Sequence, residues 1–533
     1  MLAKRFQSGR FPYSYKNEIL ALTEAESGVT IKNHGGKHRV CLAYPNTYHV
    51  GMSNLGFRII YALINKMDDA LCERTFLPEP DTYNEFKRTD TVLFSYESLT
   101  PLTSFDIIAF SVSYENDYIN VLKILDLAKI PVFAKDRTET HPLVIMGGPC
   151  AFMNPEPLAP FFDIICVGEG EPLIESFFSK LKNSTCKSDF LKSLSSEDGF
   201  YIPSDTASNV KRVYVKDLNT LETPSQLITE HTEFSNMYLV EAMRGCPWKC
   251  RFCAISSIYN PPRKRQLSRV LEEIDRVKPN CLKVGLIGPS LTDYPRLEDV
   301  LNTGGVEFSI TSLRASRKSA EILPLMKDKQ SVSIAPEAGS ERLRSVINKK
   351  ITHEDIISTC QLIFENGINL LKLYFMVGLP TETNIDISEI INLVREVRAL
   401  SKHGQISLSV SPFVPKAFTP FQWHPMESAH VVKERLKTLK NALKKDGIQV
   451  HHDTAGQAYV EGFFARSGKE ASLVLNIMLK KKLNLKAAAT EAQVDYEKRL
   501  FEKLVFDSPL PWDFIYSTTD KQTLWNEYIE ALR

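Results

Sequence analysis

Three of the ten cysteines, Cys246, Cys250 and Cys253, stand in one short segment, Ala242 to Ala254, at a spacing of C-x3-C-x2-C. The segment follows directly on a strand-like run, Met237 to Glu241. Cysteine thiolates are soft ligands that suit zinc, copper(I) or iron-sulfur clusters, and a closed zinc site needs a fourth protein ligand nearby. The nearest upstream histidine is His231, before the strand; downstream come His353 and Cys281, the latter beyond a helix expected over Leu267 to Val277. Three ligands with one metal position open fit a reactive cluster better than a structural knot. A zinc knuckle or buried thiols are the alternatives, although the spacing lacks the paired C-x2-C units of zinc sites.

With the aromatic Phe252 just before the last cysteine, this motif resembles the signature of radical S-adenosylmethionine (SAM) enzymes. The resemblance implies that the cysteines hold three irons of a [4Fe-4S] cluster, that the fourth iron chelates SAM, and that one electron cleaves SAM to a 5'-deoxyadenosyl radical.

The elements that must position these groups alternate through the second half of the chain. Strands are expected at Met237 to Glu241, Leu282 to Ile287, Val306 to Ile310, Ser331 to Ala335, Leu370 to Met376 and Ile406 to Val410. Helices are expected between them, at Leu297 to Leu301, Ser319 to Met326, Ile351 to Asn366 and Ile385 to Leu400, with a closing one at Val431 to Lys445. Six such units resemble the partial (β/α)6 TIM-type barrel of the superfamily, whose reactive groups gather at the carboxyl ends of the strands.

Candidate SAM contacts follow from those ends. Gly288 and Ser290 stand where the superfamily often has Gly-Gly-Glu at the SAM amino group, and the glutamate is missing here. Ser312 and Arg314 could face the methionine carboxylate or the substrate, while a surface ion pair is an equal reading of Arg314. The run from Ala335 to Arg344, followed by Lys349, resembles a ribose and methionine site: Glu337 would accept from ribose hydroxyls or the SAM amino group, and Lys349 would pair the carboxylate. Ser340 belongs to that run and can also serve as a helix cap. Val377 and Gly378 match the place where backbone hydrogen-bonds adenine, and glycine permits that close approach.

The first half alternates apolar strands with helices: Val40 to Tyr44, a helix near Leu55 to Met67, Ile107 to Ser113, a helix Ile119 to Leu127, Leu143 to Met146 and Phe162 to Val167. That pattern predicts a doubly wound, Rossmann-like parallel sheet with ligands beyond its carboxyl ends. The turns there include Gly147-Gly-Pro149 and Gly168-Glu-Gly-Glu171, and they resemble the N-terminal domain of cobalamin-binding radical SAM proteins. Instead of the D-x-H-x-x-G loop of base-off cobalamin domains, the chain has Asn46-Thr-Tyr-His49-Val-Gly51, and a turn or surface histidine is the plainer reading of His49. The runs Tyr44 to Gly56, Cys72-Glu-Arg74 and Gly147 to Glu156 resemble an uncharacterised family that joins such a domain to a radical SAM half.

The organisation expected is therefore an N-terminal extension (1–36), a Rossmann-like, cobalamin-binding-like domain (37–182), a connector (183–235) with a hairpin over Gly199 to Val215, a radical SAM partial barrel (236–425) and a mainly helical C-terminal region (426–533). Lys plus Arg (65) nearly balance Asp plus Glu (64), so bulk charge marks no nucleic-acid footprint. No small β-rich RNA-binding domain is recognisable at the end of the chain, which weighs further against transfer RNA. The N-terminus lacks the apolar run of a signal peptide, no window reaches membrane-helix length, and the scattered cysteines read as reduced thiols, so a cytoplasmic enzyme is expected. Its cofactors would be a [4Fe-4S] cluster and SAM, with cobalamin possible, and its partners an unknown substrate and an electron donor such as flavodoxin or ferredoxin. A cobalamin-dependent methyltransferase, a non-catalytic iron-sulfur protein and a zinc-stabilised module are the rival readings.

Overall fold

The parallel sheet of the first half begins with β1 (His38–Tyr44), continues through β2 (Ala70–Phe76), β3 (Ile107–Ser111), β4 (Leu143–Gly147) and β5 (Ile164–Cys166), and ends in β6 (Phe200–Tyr201). The computed structural model describes residues 11–205, 209–221, 226–310, 312–326 and 331–533. Strand order is β2-β1-β3-β4-β5-β6, with the first five parallel and β6 antiparallel to β5. The order reverses direction between β1 and β3, and at such a switch point the carboxyl ends of neighbouring strands part to leave a crevice.

Apolar runs make these strands because both sheet faces are covered. One face is covered in part by the helices Leu55–Lys66 and Gly170–Lys182. Asn54 starts the first of them by accepting the Phe57 N–H at 3.0 Å. The stretch expected as a connector contributes β6 to this sheet. No hairpin spans Gly199 to Val215: β6 pairs with β5, while β7 (Val210–Lys211) pairs elsewhere, and residues 206–208 of that stretch lie outside the described residues.

The second half opens with β8 (Tyr238–Glu241), then β9 (Met243–Arg244) and its antiparallel partner β10 (Arg263–Lys264) on either side of the cysteine loop. Parallel strands β11 (Lys283–Ile287) and β12 (Glu307–Ser309) join β8 in the order β12-β11-β8. A second parallel set runs β13 (Ser312–Leu313), β14 (Ser331–Glu337), β15 (Leu370–Val377), β16 (Gln405–Pro412) and β17 (Gln449–His452). The strand expected over Val306 to Ile310 is β12; the short strand β13 that follows it was not expected, and the two serve different sets. The parallel strands also continue past residue 425, since β17 follows the helix Ala429–Lys444 and pairs with β16.

Beyond β17 the chain is mainly helical, from Ala455–Arg466 to Lys521–Ala531. One short strand, β18 (Ile515–Tyr516), returns to pair with β7. No helix among the described residues is long and apolar enough to cross a membrane.

Candidate metal centre and ligand cavity

The cysteine loop leaves β9 through Gly245, whose φ of +79° suits glycine and whose Cβ would come within 2.3 Å of the Tyr259 carbonyl oxygen. From there the loop is clamped by backbone. The Arg251 N–H donates to the Ile347 carbonyl at 3.0 Å, the Arg251 carbonyl accepts from Phe421 at 3.3 Å, and Asn348 Nδ2 donates to the Lys249 carbonyl at 3.0 Å. The Arg251 side chain adds a bond to the Val346 carbonyl at 3.1 Å and an ion pair with Glu527 at 3.0 Å. The loop is therefore tied both to the helix after β14 and to the C-terminal helix.

Two cations, Lys349 and Arg314, act on the thiols electrostatically. Burial pushes the Cys250 thiol up to about 11, while Lys349 and then Arg314 pull it back toward thiolate. Burial likewise raises Cys246 and Cys253, opposed by the backbone N–H of Trp248 in the first case and those of Ile255 and Ser256 in the second. Among the described residues Arg314 has no ion pair: its guanidinium lies 3.7 Å from the centre of the Trp248 ring and donates to the carbonyls of Lys349 and Lys350 at 2.5 and 2.9 Å. Trp248 Nε1 donates to Asp293 at 2.5 Å, and Ser290 donates to the same carboxylate oxygen at 2.6 Å. Sequence reasoning missed both Trp248 and Asp293, because their pairing crosses two elements.

Glu337 and Lys349 form an ion pair at 3.0 Å. Glu337 sits at the end of β14 with a φ of +67°, after a register shift against β15 that re-aims its side chain. Ser340 is a cap: it accepts from the Leu343 N–H at 3.1 Å and donates to Asp386 at 2.5 Å. At the end of β15, Gly378 has the positive φ (+83°) of a close turn. Its N–H is bonded to the Glu382 carboxylate, and the Val377 carbonyl accepts from Phe413 at 2.8 Å. The two groups expected to meet adenine are thus already engaged by the chain itself. Burial raises Glu382 to about 7, against Arg435 and the N–H groups of Gly378 and Leu379.

Where the barrel strands end, the N-terminal sheet faces them. A cavity of about 560 Å³ lies between the two edges. Its wall takes Gly147, Gly148 and Glu171 from one side and Glu241, Gly288 and Ser312 from the other. His49 is exposed on the helix Tyr48–Met52 and is not part of this wall. Beside the cavity a buried ionic cluster joins the halves: Arg244 meets Glu169, Glu171 and Glu241 at 2.7–2.8 Å, and Arg263 meets Glu169 at 2.6 Å. The Gly168-Glu-Gly-Glu171 turn, read from sequence as a ligand edge, therefore also seats the residue two positions before Cys246.

The donor set fits an iron-sulfur cluster. Three soft thiols share one clamped loop, and the two cations nearest them offset the negative charge that thiolates bring. Among the described residues no group of His, Cys, Asp or Glu side chains could hold a single metal ion; in a [4Fe-4S] site each sulfur binds a different iron, so the three need not converge. The remaining seven cysteines are free, and burial holds Cys41, Cys72 and Cys150 well above the ordinary thiol range.

Comparison with known proteins gives two family matches: "Radical SAM proteins, N-terminal" over residues 56–203 and "Radical SAM superfamily" over residues 240–394. The uncharacterized protein MJ0966 of Methanocaldococcus jannaschii is 34% identical over 445 residues, 82% of this chain and 90% of that protein. A tRNA-2-methylthio-N(6)-dimethylallyladenosine synthase of Sulfurihydrogenibium is 25% identical over 225 residues, 39% of this chain and 50% of that enzyme. Among solved structures, the cobalamin-dependent SAM radical enzyme OxsB aligns at a TM-score of 0.48 and 15% identity, over 87% of this chain and 72% of that one.

Proposed function

The chain belongs to the radical SAM superfamily, in one family with MJ0966, and on that premise we propose that Cys246, Cys250 and Cys253 bind the cluster while SAM lies across the mouth of the partial barrel. When bound, a [4Fe-4S] cluster supplies the electron that cleaves SAM to methionine and a 5'-deoxyadenosyl radical, which takes hydrogen from the substrate. The substrate is unknown. The observation that carries this reading is the clamped cysteine loop, with Arg314 stacked on its Trp248 and both Arg314 and Lys349 favouring the Cys250 thiolate.

The chain's own residues bind and orient. Lys349 and Arg314 are the cations available to the methionine carboxylate, and Glu337 is an acceptor for the amino group or the ribose. Ser290, fixed by Asp293, stands in for the missing glutamate at the end of β11. Adenine contact at Val377 and Gly378 needs Glu382 to yield the Gly378 N–H, and burial, which weakens the charged form of Glu382, favours that exchange. Phe413 and Phe421 pack on each other, and Phe421 on Tyr528 of the C-terminal helix, so these rings brace the segment after β16. An enzyme of this superfamily needs a reductant, and flavodoxin or ferredoxin is the donor class we assign. The seven cysteines outside the loop, none of them in a disulfide, suit a reducing cytoplasm.

Anaerobic reconstitution with iron and sulfide, followed by dithionite and SAM, tests the reading. Formation of 5'-deoxyadenosine, lost with the bound iron in Cys250→Ala, is expected. A reconstituted chain that binds a cluster but never cleaves SAM sinks the reading and leaves a redox or carrier protein. A spectrum of the same sample tests for cobalamin as a methyl carrier in the cavity.

A further inference from the structure

The cavity does not end at the mouth of the barrel. Its wall continues along one face of the N-terminal sheet, through Val40 and Leu42 of β1, Ile107 and Ala109 of β3, Ile145 of β4 and Cys166 of β5. These are alternate residues, as one sheet face requires. Opposite them lie Ile59, Ile60 and Ile64 of the helix Leu55–Lys66 and Leu173, Ile174 and Phe177 of the helix Gly170–Lys182. A parallel sheet and its covering helices ordinarily close on each other at crystal-like density. Here Ile60, Ile145, Cys166 and Ile174 stay only half-buried, and the space between the layers runs inward from Ser111 to Ile107, about 13 Å at ~3.3 Å per residue.

Within the layer the wall offers no charge, and burial keeps the Cys166 thiol protonated, raised to about 12. At the mouth the one cation among the described lining residues is Arg244, whose N–H groups are all committed to Glu169, Glu171 and Glu241. A phosphate or carboxylate therefore meets three carboxylates and no free cation. The phosphate of a corrinoid's nucleotide tail finds no ion partner among the described residues of this mouth, while its benzimidazole is an apolar ring that the wall also suits, so cobalamin is the rival occupant that the test has to separate. A hydrocarbon asks for nothing more than this wall provides.

We propose that this channel binds the hydrocarbon chain of an uncharged lipophilic substrate, an alkyl or isoprenoid group, with its neutral end at the barrel mouth. The proposal rests on the reading of the cysteine loop as the reactive centre, since Gly245 and Ser312, which flank that loop and Arg314, also line the mouth. Hydrogen is then taken from the end of the chain that the mouth presents.

The test uses the full chain. A fluorescent probe, 1-aminoanthracene, is displaced by a series of 1-alkanols from hexanol to dodecanol. Each added methylene should tighten binding about fourfold until the channel is filled. At Gly147 an added Cβ meets nothing nearer than the Phe110 carbonyl oxygen at 4.0 Å, so Gly147→Leu plugs the channel without crowding the fold. At least a tenfold loss of dodecanol affinity is expected in Gly147→Leu and in a second plug, Cys166→Phe, each checked for an unchanged melting temperature. Affinity independent of chain length, unaltered affinity in both plugs, or displacement of the probe by hydroxocobalamin at one equivalent overturns the proposal. The alkanol series needs no cluster and no SAM. If 5'-deoxyadenosine fails to form while the series behaves as expected, the reactive-centre reading falls and the channel stands.

Discussion

His424 shows at the scale of one residue what burial does to a charge. Its Nδ1 lies 3.1 Å from the Tyr528 hydroxyl, and burial, helped by Arg466 and Lys503, lowers its pKa to about 4. The unfolded chain takes up that proton near the ordinary histidine value of about 6.5, and the folded chain does not until about 4. Stability from this group is present above 6.5 and lost as pH falls through that window, by up to about 3 kcal/mol. Urea midpoints at pH 4.5 and 7.5 should therefore differ less in His424→Gln than in the parent chain; equal gaps would show that histidine is not the source. At the same scale the chemistry of the site was legible where it was local. The cysteines, Arg314 and Glu337 come together because they follow strands that apolar periodicity marks, and Lys349, beyond the short helix Glu341–Val346, returns to pair with Glu337. Ser290 to Asp293 to Trp248, and Glu382 on the Gly378 N–H, were hidden because a sequence does not say which polar groups will satisfy each other across a loop.

Elements were legible in proportion to their apolar runs, and β2 shows the limit. Its residues Ala-Leu-Cys-Glu-Arg-Thr-Phe are all buried, yet Glu73 and Arg74 interrupt the apolar run and no strand was expected there. Arg74 is fully enclosed and paired with Glu26 and Glu97 at 2.7 and 2.6 Å, so its charge is satisfied inside the core and not at the surface. The hairpin expected after Gly199 failed for a related reason: its two strands are too short to pair alone and take partners from β5 and β18. Close packing between elements carries its own prediction. A Cβ on Gly339, in the turn after β14, would stand 2.2 Å from the Ile390 nitrogen in the helix Asn384–Ala399. Backbone on both sides leaves nothing to rotate away, so Gly339→Ala should cost about 1–3 kcal/mol and displace the turn that holds Glu337. A denaturant midpoint checks the first effect and SAM affinity of the reconstituted chain the second; an unchanged midpoint would mean that the helix slides freely on the sheet.

For the whole molecule, what matters is that the N-terminal sheet and the two sets of barrel strands present their carboxyl edges to one space and are held there by charge. Glu169, on the N-terminal turn, is 3% exposed at its side chain and takes Arg244 and Arg263 from the cysteine loop's two flanking strands, besides the Val215 N–H at 3.0 Å. A second link joins Lys416 to Glu115 and Glu461 at 2.7 and 2.8 Å. Removing one member of a buried pair leaves the other charge without compensation, at a cost of about 3–5 kcal/mol. Arg244 keeps two carboxylates in Glu169→Gln, but Arg263 loses its acid, so the loss should fall near the lower figure. The consequence reaches the metal centre, because Arg244 and Cys246 are separated only by Gly245. Iron and sulfide bound after reconstitution should drop in Glu169→Gln although all three cysteines remain, and calorimetry should show the lowered melting temperature in the same sample. If the variant melts early yet loads as much iron as the parent chain, the barrel alone shapes the loop, and the N-terminal domain serves the cavity without serving the cluster.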